Sequence, residues 1–245
     1  MKTITIAKTS ATLFGLMTST AMAQDNVDIF TNWSYDLLYM EGWSVDDMFA
    51  RTEIIDANGE DIGDVENVIF SNDGKVLGVI AQVGGLWDIG DTHVMVPWDE
   101  VSVDGDIGQI RIPITEATVE NYDVFGAGWF DEQLITALDT TSTQPVDDDL
   151  VAGPGIFKAT DLIGDYAYLQ DNVRYGYVSD LIVHDGALSA VVMDGGAYGR
   201  RGYYGYPYSA QGYMNGGRYD MPYTAEQIGT IENFDYQQMQ SRGQQ

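Results

Sequence analysis

Two stretches of the chain share one alternating pattern of apolar and polar residues. In residues 63–85, a glycine precedes a β-rich run, an Asp-Gly turn at 73–74, a second β-rich run and a Gly-Gly pair. Residues 176–196 repeat these features in the same order, with the Asp-Gly turn at 185–186. Asp-Gly between β-branched runs favours a type I′ hairpin, because both central residues of that turn need positive φ. The pattern predicts two similar hairpins and therefore a duplicated small domain.

Further short strands follow the first hairpin. Residues 94–98 and 101–103 are rich in valine, and Ile110, Ile112 and Ile114 alternate with other residues at the period of a half-buried strand. Short strands joined by Gly-rich turns, without helices between them, predict a small antiparallel barrel. The expected fold is mainly β, with two small antiparallel β-barrels joined by a short helix and a linker.

The first half of this pattern resembles the PRC-barrel family. The resemblance rests on residues 59–65, 73–75, 83–86, 89–90 and 94–98. It covers residues 45–115 and is weaker over 158–232, where residues 221–223 are taken as the counterpart of 96–98. The resemblance implies two PRC-type barrels that serve assembly and docking rather than catalysis, as in the photosynthetic reaction-centre H subunit and a ribosome maturation factor. It brings no catalytic motif.

The N terminus predicts export. Residues 1–23 combine Lys2 and Lys8 with an apolar stretch and a small-x-small cleavage site, as in a secretory signal peptide. The apolar stretch is far shorter than the roughly 20 residues needed to cross a bilayer core, so a membrane anchor is the poorer interpretation. Cleavage between Ala23 and Gln24 predicts a periplasmic or secreted protein, and no later segment is expected to cross a membrane. Because the two best-known PRC-barrel settings are cytoplasmic, neither a photosystem nor a ribosome is implied.

Charge and composition exclude several functions. The chain has 38 Asp and Glu against 11 Lys and Arg, a net charge of −27, which leaves no basic face for nucleic acid. Without cysteine there is no disulfide or thiolate site, and His93 and His184 are interpreted as ordinary strand-end residues. No nucleophile-elbow, phosphate-loop or dinucleotide motif occurs. The sequence therefore predicts no catalytic, cofactor-binding or metal-binding residue, and a protein that is not an enzyme.

The pattern divides the chain into six segments. Residues 134–138 fit a short amphipathic helix, and the acidic run at 147–149 is typical of a solvated linker that could at most collect a cation. The segments are a signal peptide (1–23), an N-terminal packing segment (24–44), a first barrel (45–115), a short helix and acidic linker (116–157), a second barrel (158–232) with a Tyr/Gly-rich insertion (197–219), and a tail (233–245).

The Tyr/Gly-rich insertion is the predicted contact surface. Its tyrosines, glycines and arginines resemble the composition of adaptable binding loops, and it is expected to contribute nothing to the core, so that deleting residues 198–219 should leave the melting temperature nearly unchanged. The competing interpretation is a disordered low-complexity loop. The residues predicted to contact a partner are Tyr198, Arg200, Arg201, Tyr203, Tyr204, Tyr206, Tyr208, Tyr213, Arg218 and Tyr219.

The predicted function is therefore docking to a protein or envelope partner, with self-association as one form of it. Two alternatives stay open at this point. One is an envelope protein that binds or hydrolyses glycans, since tyrosine rings stack on sugars. The other is an acidic protein that binds divalent cations weakly through its surface carboxylates.

Overall fold

Strands dominate the part of the chain that the structure, a computed structural model, describes: residues 30, 32–84, 92–103, 107–115, 118, 133–214 and 217–240. The strands are β1 (Trp43–Ser44), β2 (Glu53–Ile55), β3 (Asp61–Ser71), β4 (Val76–Val83), β5 (Thr92–Pro97), β6 (Ser102–Val103), β7 (Gln109–Arg111), β8 (Leu134–Ile135), β9 (Gln144–Val146), β10 (Val151–Ala152), β11 (Ile156–Lys158), β12 (Tyr166–Tyr168), β13 (Arg174–His184), β14 (Ala187–Asp194), β15 (Tyr203–Pro207), β16 (Tyr213–Met214) and β17 (Arg218–Asp220). The α-helices are α1 (Asp36–Glu41), α2 (Val45–Arg51), α3 (Ala159–Leu162), α4 (Ala225–Ile228) and α5 (Tyr236–Gln240). Over these ranges, no helix combines the length and apolar character needed to cross a membrane.

The strands form two large sheets and one small one. The first sheet has the order β6-β7-β2-β3-β4-β5-β9, and β11 also pairs with β3. The second has the order β15-β14-β13-β12-β17-β16, and β1 pairs with β13. The small sheet pairs β8 with β10. The prediction of a mainly β fold is confirmed, but in the described part of the chain neither large sheet closes into a barrel.

Both predicted hairpins form, and their geometry matches. β3 and β13 each have 11 residues, and β4 and β14 each have 8. Each hairpin has two register shifts, the first of which leaves Glu66 unpaired in β3 and Ser179 unpaired in β13. A Cβ atom at Gly63 would lie 1.9 Å from a backbone oxygen of β4, and one at Gly176 would lie 1.7 Å from a backbone oxygen of β14. Only glycine allows the facing strands to approach this closely.

Each half of the chain places its leading segment on the sheet of the other half. β1 precedes the strands of the first sheet but pairs with β13, and β11 precedes those of the second sheet but pairs with β3. The helices that follow make reciprocal contacts. Asp46 N donates to Asp180 Oδ1 at 3.0 Å, and Thr160 N donates to Asn67 Oδ1 at 3.4 Å. The halves are therefore interlocked rather than joined by a linker alone.

The two Asp-Gly turns contact each other. Val76 N donates to Gly186 O at 2.9 Å, and Leu188 N donates to Gly74 O at 2.7 Å. Such reciprocal contacts are what an approximate twofold relation between the two sheets produces.

The segment between the hairpins differs from the prediction. Leu134–Ile135 is a strand, and Asp139–Thr141 is a 3₁₀ turn, so the predicted amphipathic helix is not formed. Ile135 and Leu150 are buried in an apolar cluster that includes residues of β3, β4 and β5. Burial against the sheet outweighs the local helical pattern. This segment therefore covers one face of the first sheet; its residues 116–117 and 119–132 lie outside the described residues.

The aromatic segment before the first sheet packs on the second. Trp33 Nε1 donates to Gly205 O at 3.0 Å, and Tyr35 OH donates to Glu232 O at 2.8 Å. Leu38 of α1 and Phe234, just before α5, belong to one buried cluster with residues of β13 and β14. The predicted signal peptide lies outside the described residues.

Candidate functional site

The Tyr/Gly-rich segment is an integral part of the second sheet. All five residues of Tyr203–Pro207 pair with β14. Tyr204, Tyr206 and Tyr219 are 5%, 0% and 1% exposed, so the prediction that this composition forms no core is wrong. Tyrosine can fill a core when its hydroxyl finds a polar partner. The hydroxyls of Tyr206 and Tyr175 are 2.8 Å apart.

The strand pairing also gives a different counterpart for residues 96–98 than the sequence predicted. Pro97 ends β5 and pairs with Gly78 of β4, while Pro207 ends β15 and pairs with Ala190 of β14. The counterpart of residues 96–98 is therefore 206–208 and not 221–223. The range 197–219 contains a strand of the fold and is not an insertion.

Two further predicted contact residues support this core. Arg200 is half-buried, and its guanidinium lies 3.8 Å from the ring centroid of Tyr204. It also donates hydrogen bonds to the backbone oxygens of Ile228 and Ile231. Tyr208 is half-buried, and its hydroxyl donates to the backbone oxygen of residue 72 at 2.9 Å. Both side chains therefore have structural contacts in the fold.

The remaining predicted contact residues differ in accessibility. Tyr198, Arg201 and Tyr203 are exposed. Arg218 is half-buried, and its Nε donates to the carboxylate of the aspartate two positions along the chain at 2.6 Å. The side chain of Tyr213 lies outside the described residues. Tyr203 and Arg218 are the two that belong to a larger exposed feature.

That feature is a row of side chains across one face of the second sheet. The strand register pairs Tyr166 with Tyr177, Tyr177 with Asp194, and Asp194 with Tyr203. Residues that pair directly across strands point to the same face of a sheet. Tyr166, Tyr177 and Tyr203, which we call the tyrosine row, are 51%, 43% and 41% exposed. With strands about 4.8 Å apart, the row extends about 14 Å across the face.

Charged groups surround the tyrosine row. Tyr177 OH donates to Asp194 Oδ2 at 3.0 Å, and this acceptor raises the pKa of the Tyr177 hydroxyl. The guanidinium of Arg174 lies 5.2 Å from the ring centroid of Tyr166. Arg218, which pairs with Tyr166 across β17 and β12, places its guanidinium 3.9 Å from the ring centroid of Tyr168. The face thus combines aromatic surface with two cations in a strongly acidic protein.

The corresponding row of the first sheet has a different chemistry. There the register pairs Glu53 with Asp64, Asp64 with Gln82, and Gln82 with His93. Burial, with smaller effects of neighbouring Asp61 and Glu53, raises the pKa of Asp64. The two sheets therefore present unlike surfaces, one aromatic and one acidic.

Sequence reasoning missed Tyr166 and Tyr177. Neither lies in the Tyr/Gly-rich segment, and only the pairing of β12 with β13 brings them beside each other. Composition indicated residues 198–219 as the contact surface. The strand register, however, determines which tyrosines lie on the same face of the sheet.

Comparison with known proteins agrees with the first half of the chain. Residues 49–116, which hold β2 to β7, match the PRC-barrel domain family. Among curated proteins, none matches the chain.

Proposed function

We propose that this protein is a non-catalytic docking module that binds a protein partner through the tyrosine row. The observation that carries the proposal is the alignment of Tyr166, Tyr177 and Tyr203, all exposed, across one sheet face. Tyrosine supplies a large contact area at low entropic cost and is enriched at the energetic centres of interfaces. The assembly roles of PRC barrels support the same function.

The second half of the chain is proposed to be a second PRC-type unit. Its hairpin has the same strand lengths as the matched half. In both halves a short strand also pairs antiparallel with the first strand of the hairpin and parallel with a later strand. In the first half β2 pairs with β3 and β7, and in the second half β12 pairs with β13 and β17. A shared framework with unlike exposed faces suits a rigid platform whose second face is specialised for binding.

The proposed partner presents Lys or Arg side chains among apolar ones. A net charge of −27 steers basic surfaces toward the protein and repels acidic ones. Aromatic ring faces attract cations, and two guanidinium groups already lie on tyrosine rings of this face, at 5.2 Å and 3.9 Å. Such a complex is expected to weaken as the salt concentration rises.

The docking proposal predicts a loss of binding from three exposed substitutions. In the variant Y166S/Y177S/Y203S, capture of the partner from cells that make the protein should fall at least about tenfold, because the loss of even one hot-spot tyrosine, about 2 kcal/mol or more, weakens binding by more than that factor. Quantitative mass spectrometry after affinity capture measures this, and a cooperative melting transition checks that the variant is folded.

The matched control is Tyr198→Ser, which removes a tyrosine that is 38% exposed and lies outside the row. It should capture the same basic protein as the unaltered chain. Equal capture by the triple variant, or equal losses in both variants, would argue against docking through this row.

Glycan binding is the second candidate, because three aligned tyrosine rings can also stack on sugar rings. Incubation with envelope polysaccharides distinguishes the two. Binding that is lost in the triple variant without product release would assign the row to glycans, and release of products would make the protein a hydrolase.

The site of action is proposed to be outside the cytoplasm. The expected mature protein begins at Gln24, and intact mass measurement of protein isolated from the producing cells checks this. A mass that still includes residues 1–23 would contradict export by this route.

A further inference from the structure

A cluster of three different side chains on the first sheet has the donor atoms of a metal site. Glu66 is the unpaired bulge residue of β3, His93 lies on β5, and Asp148 follows β9. His93 Nε2 is 2.9 Å from Glu66 Oε2 and 3.9 Å from Asp148 Oδ1, and all three ligand atoms lie within 4.8 Å of one another. The pairing of β3, β4, β5 and β9 thus brings together residues that are far apart in sequence.

The distances fit a small cation after minor adjustment. With bonds of about 2.1 Å in a tetrahedral zinc site, ligand atoms lie about 3.4 Å apart. The observed 2.9 Å and 3.9 Å bracket this value. The Asp148 side chain is 77% exposed and can move toward the other two ligands without disturbing the core.

A second observation sets this cluster apart from ordinary surface acids. Glu66 Oε2 is buried and, among the described residues, has no hydrogen-bond partner, although His93 Nε2 lies 2.9 Å away. A buried carboxylate oxygen without a hydrogen bond carries a desolvation cost that a bound cation would remove. The imidazole nitrogen adds a ligand type that solvent-exposed acidic runs do not have.

The donor set selects the class of cation. Calcium takes six to eight oxygen ligands, whereas imidazole together with carboxylates suits zinc and its neighbours among the divalent transition metals. We propose that Glu66, His93 and Asp148 bind one divalent transition-metal ion of the zinc type, with the fourth coordination position open to solvent. The ion would link β3 and β5 to the acidic run at 147–149.

This inference is independent of the docking proposal, because the cluster belongs to the first sheet and the tyrosine row to the second. Within the acidic run at 147–149, the proposed metal site uses only Asp148 as a ligand. It also replaces the expectation that His93 is an ordinary strand-end residue.

The structure offers a matched control. His184 Nε2 lies 3.0 Å from Glu41 Oε2, which is the same kind of pair as His93 and Glu66. Within the described ranges, no third ligating side chain joins His184 and Glu41. If the contact between His93 and Glu66 had no role in metal binding, replacement of His93 and replacement of His184 should have the same effect on metal binding.

The test is titration of the full-length, EDTA-treated protein with Zn²⁺ by calorimetry and with Co²⁺ by visible absorption. One saturable ion per chain is expected, with tetrahedral or five-coordinate Co²⁺ bands. His93→Gln should abolish saturable binding, and Asp148→Asn, an exposed change that leaves the fold intact, should weaken it at least about tenfold. His184→Gln should bind as the unaltered protein does.

Three results would overturn the proposal. One is the absence of saturable binding in the unaltered protein. Another is a set of many weak sites that His93→Gln and Asp148→Asn do not change, which would mean nonspecific binding to surface carboxylates. The third is equal weakening by His184→Gln.

Discussion

Replacing Tyr206 with alanine should lower the free energy of unfolding by about 3–5 kcal/mol, the usual cost of removing a large buried aromatic side chain. Tyr206 is 0% exposed, and its ring lies 5.7 Å from those of Tyr175 and Tyr223. Burial, together with the nearby Tyr175 hydroxyl, raises the pKa of Tyr206, as expected for a phenol held neutral in the core. Chemical denaturation of the variant measures the loss.

The control lies three residues away on the same strand. Tyr203 is 41% exposed and keeps one edge-on ring contact, with Tyr236 at 5.2 Å, so Tyr203→Ala should cost less than about 1.5 kcal/mol. Tyr206→Phe keeps the ring and removes the hydroxyl contact with Tyr175, and a loss of about 1 kcal/mol is expected. If Tyr206→Ala were as stable as Tyr203→Ala, β15 would not be a core strand.

Because β15 is a buried core strand, a deletion of the Tyr/Gly-rich segment would not test binding separately from stability. Removing residues 198–219 takes away all of β15 and β16 and part of β17, so the second sheet should lose its stability together with any binding. Point substitutions on the exposed face are therefore the appropriate test of docking.

Asp180→Asn should stabilise the protein at pH 8 and reduce the change in its stability between pH 4 and pH 8. Asp180 is 0% exposed, and its Oδ1 accepts hydrogen bonds from Asp46 N at 3.0 Å and from Leu181 N at 2.7 Å. Burial raises the pKa of the Asp180 carboxyl to about 7, against hydrogen bonds that lower it. The titratable groups that face it are Asp46 of α2 and Tyr236 of α5.

The sign follows from proton binding. The folded state holds the Asp180 proton up to about pH 7, whereas in the unfolded chain the carboxyl has its ordinary pKa of 3.8 and releases the proton there. The contribution of Asp180 to stability is therefore fully present below about pH 4. It is lost as the pH rises through 7, and above pH 7 the ionised carboxylate destabilises the folded state. At about 1.4 kcal/mol per pKa unit, ionised Asp180 costs roughly 4 kcal/mol at pH 8.

The other half of the chain supplies the reciprocal control. Asn67 occupies the corresponding position, accepts a hydrogen bond from Thr160 N and donates one from Nδ2 to Thr160 Oγ1 at 2.8 Å. Asn67→Asp should destabilise the protein at pH 8 and introduce a new pH dependence, the opposite of Asp180→Asn. Denaturation of all three proteins at pH 4 and pH 8 measures the difference.

The comparison of variants is needed because other acids titrate in the same range. Burial raises the pKa of Asp165 to about 6, with a smaller effect of Asp161. A pH dependence of stability in Asp180→Asn equal to that of the unaltered protein would show that Asp180 is ionised at low cost in the fold.

Local signals predicted the hairpins well. Asp185 and Gly186 have φ of 51° and 69°, as the type I′ prediction requires, although in the first turn only Gly74, with φ of 89°, is left-handed. These features depend on neighbouring residues, which is why they could be predicted from sequence.

Features that depend on long-range pairing could not be predicted in this way. Ile135 becomes part of a strand because it is buried against the first sheet, and the exchange of β1 and β11 between the halves leaves no local signal. The candidate face was only partly foreseen: Tyr203 was named, but Tyr166 and Tyr177 join it through the register of β12 to β15.

Docking through the tyrosine row is tested most directly by site-specific photocrosslinking in the cells that make the protein. Benzoylphenylalanine is placed at Tyr177 and, in a separate experiment, at Asp64, the corresponding position of the first sheet. Position 177 should give one discrete adduct, formed with a basic protein and lost in the background Y166S/Y203S, while position 64 should not give it. No adduct at 177, or the same adduct from both positions, would contradict docking through this face.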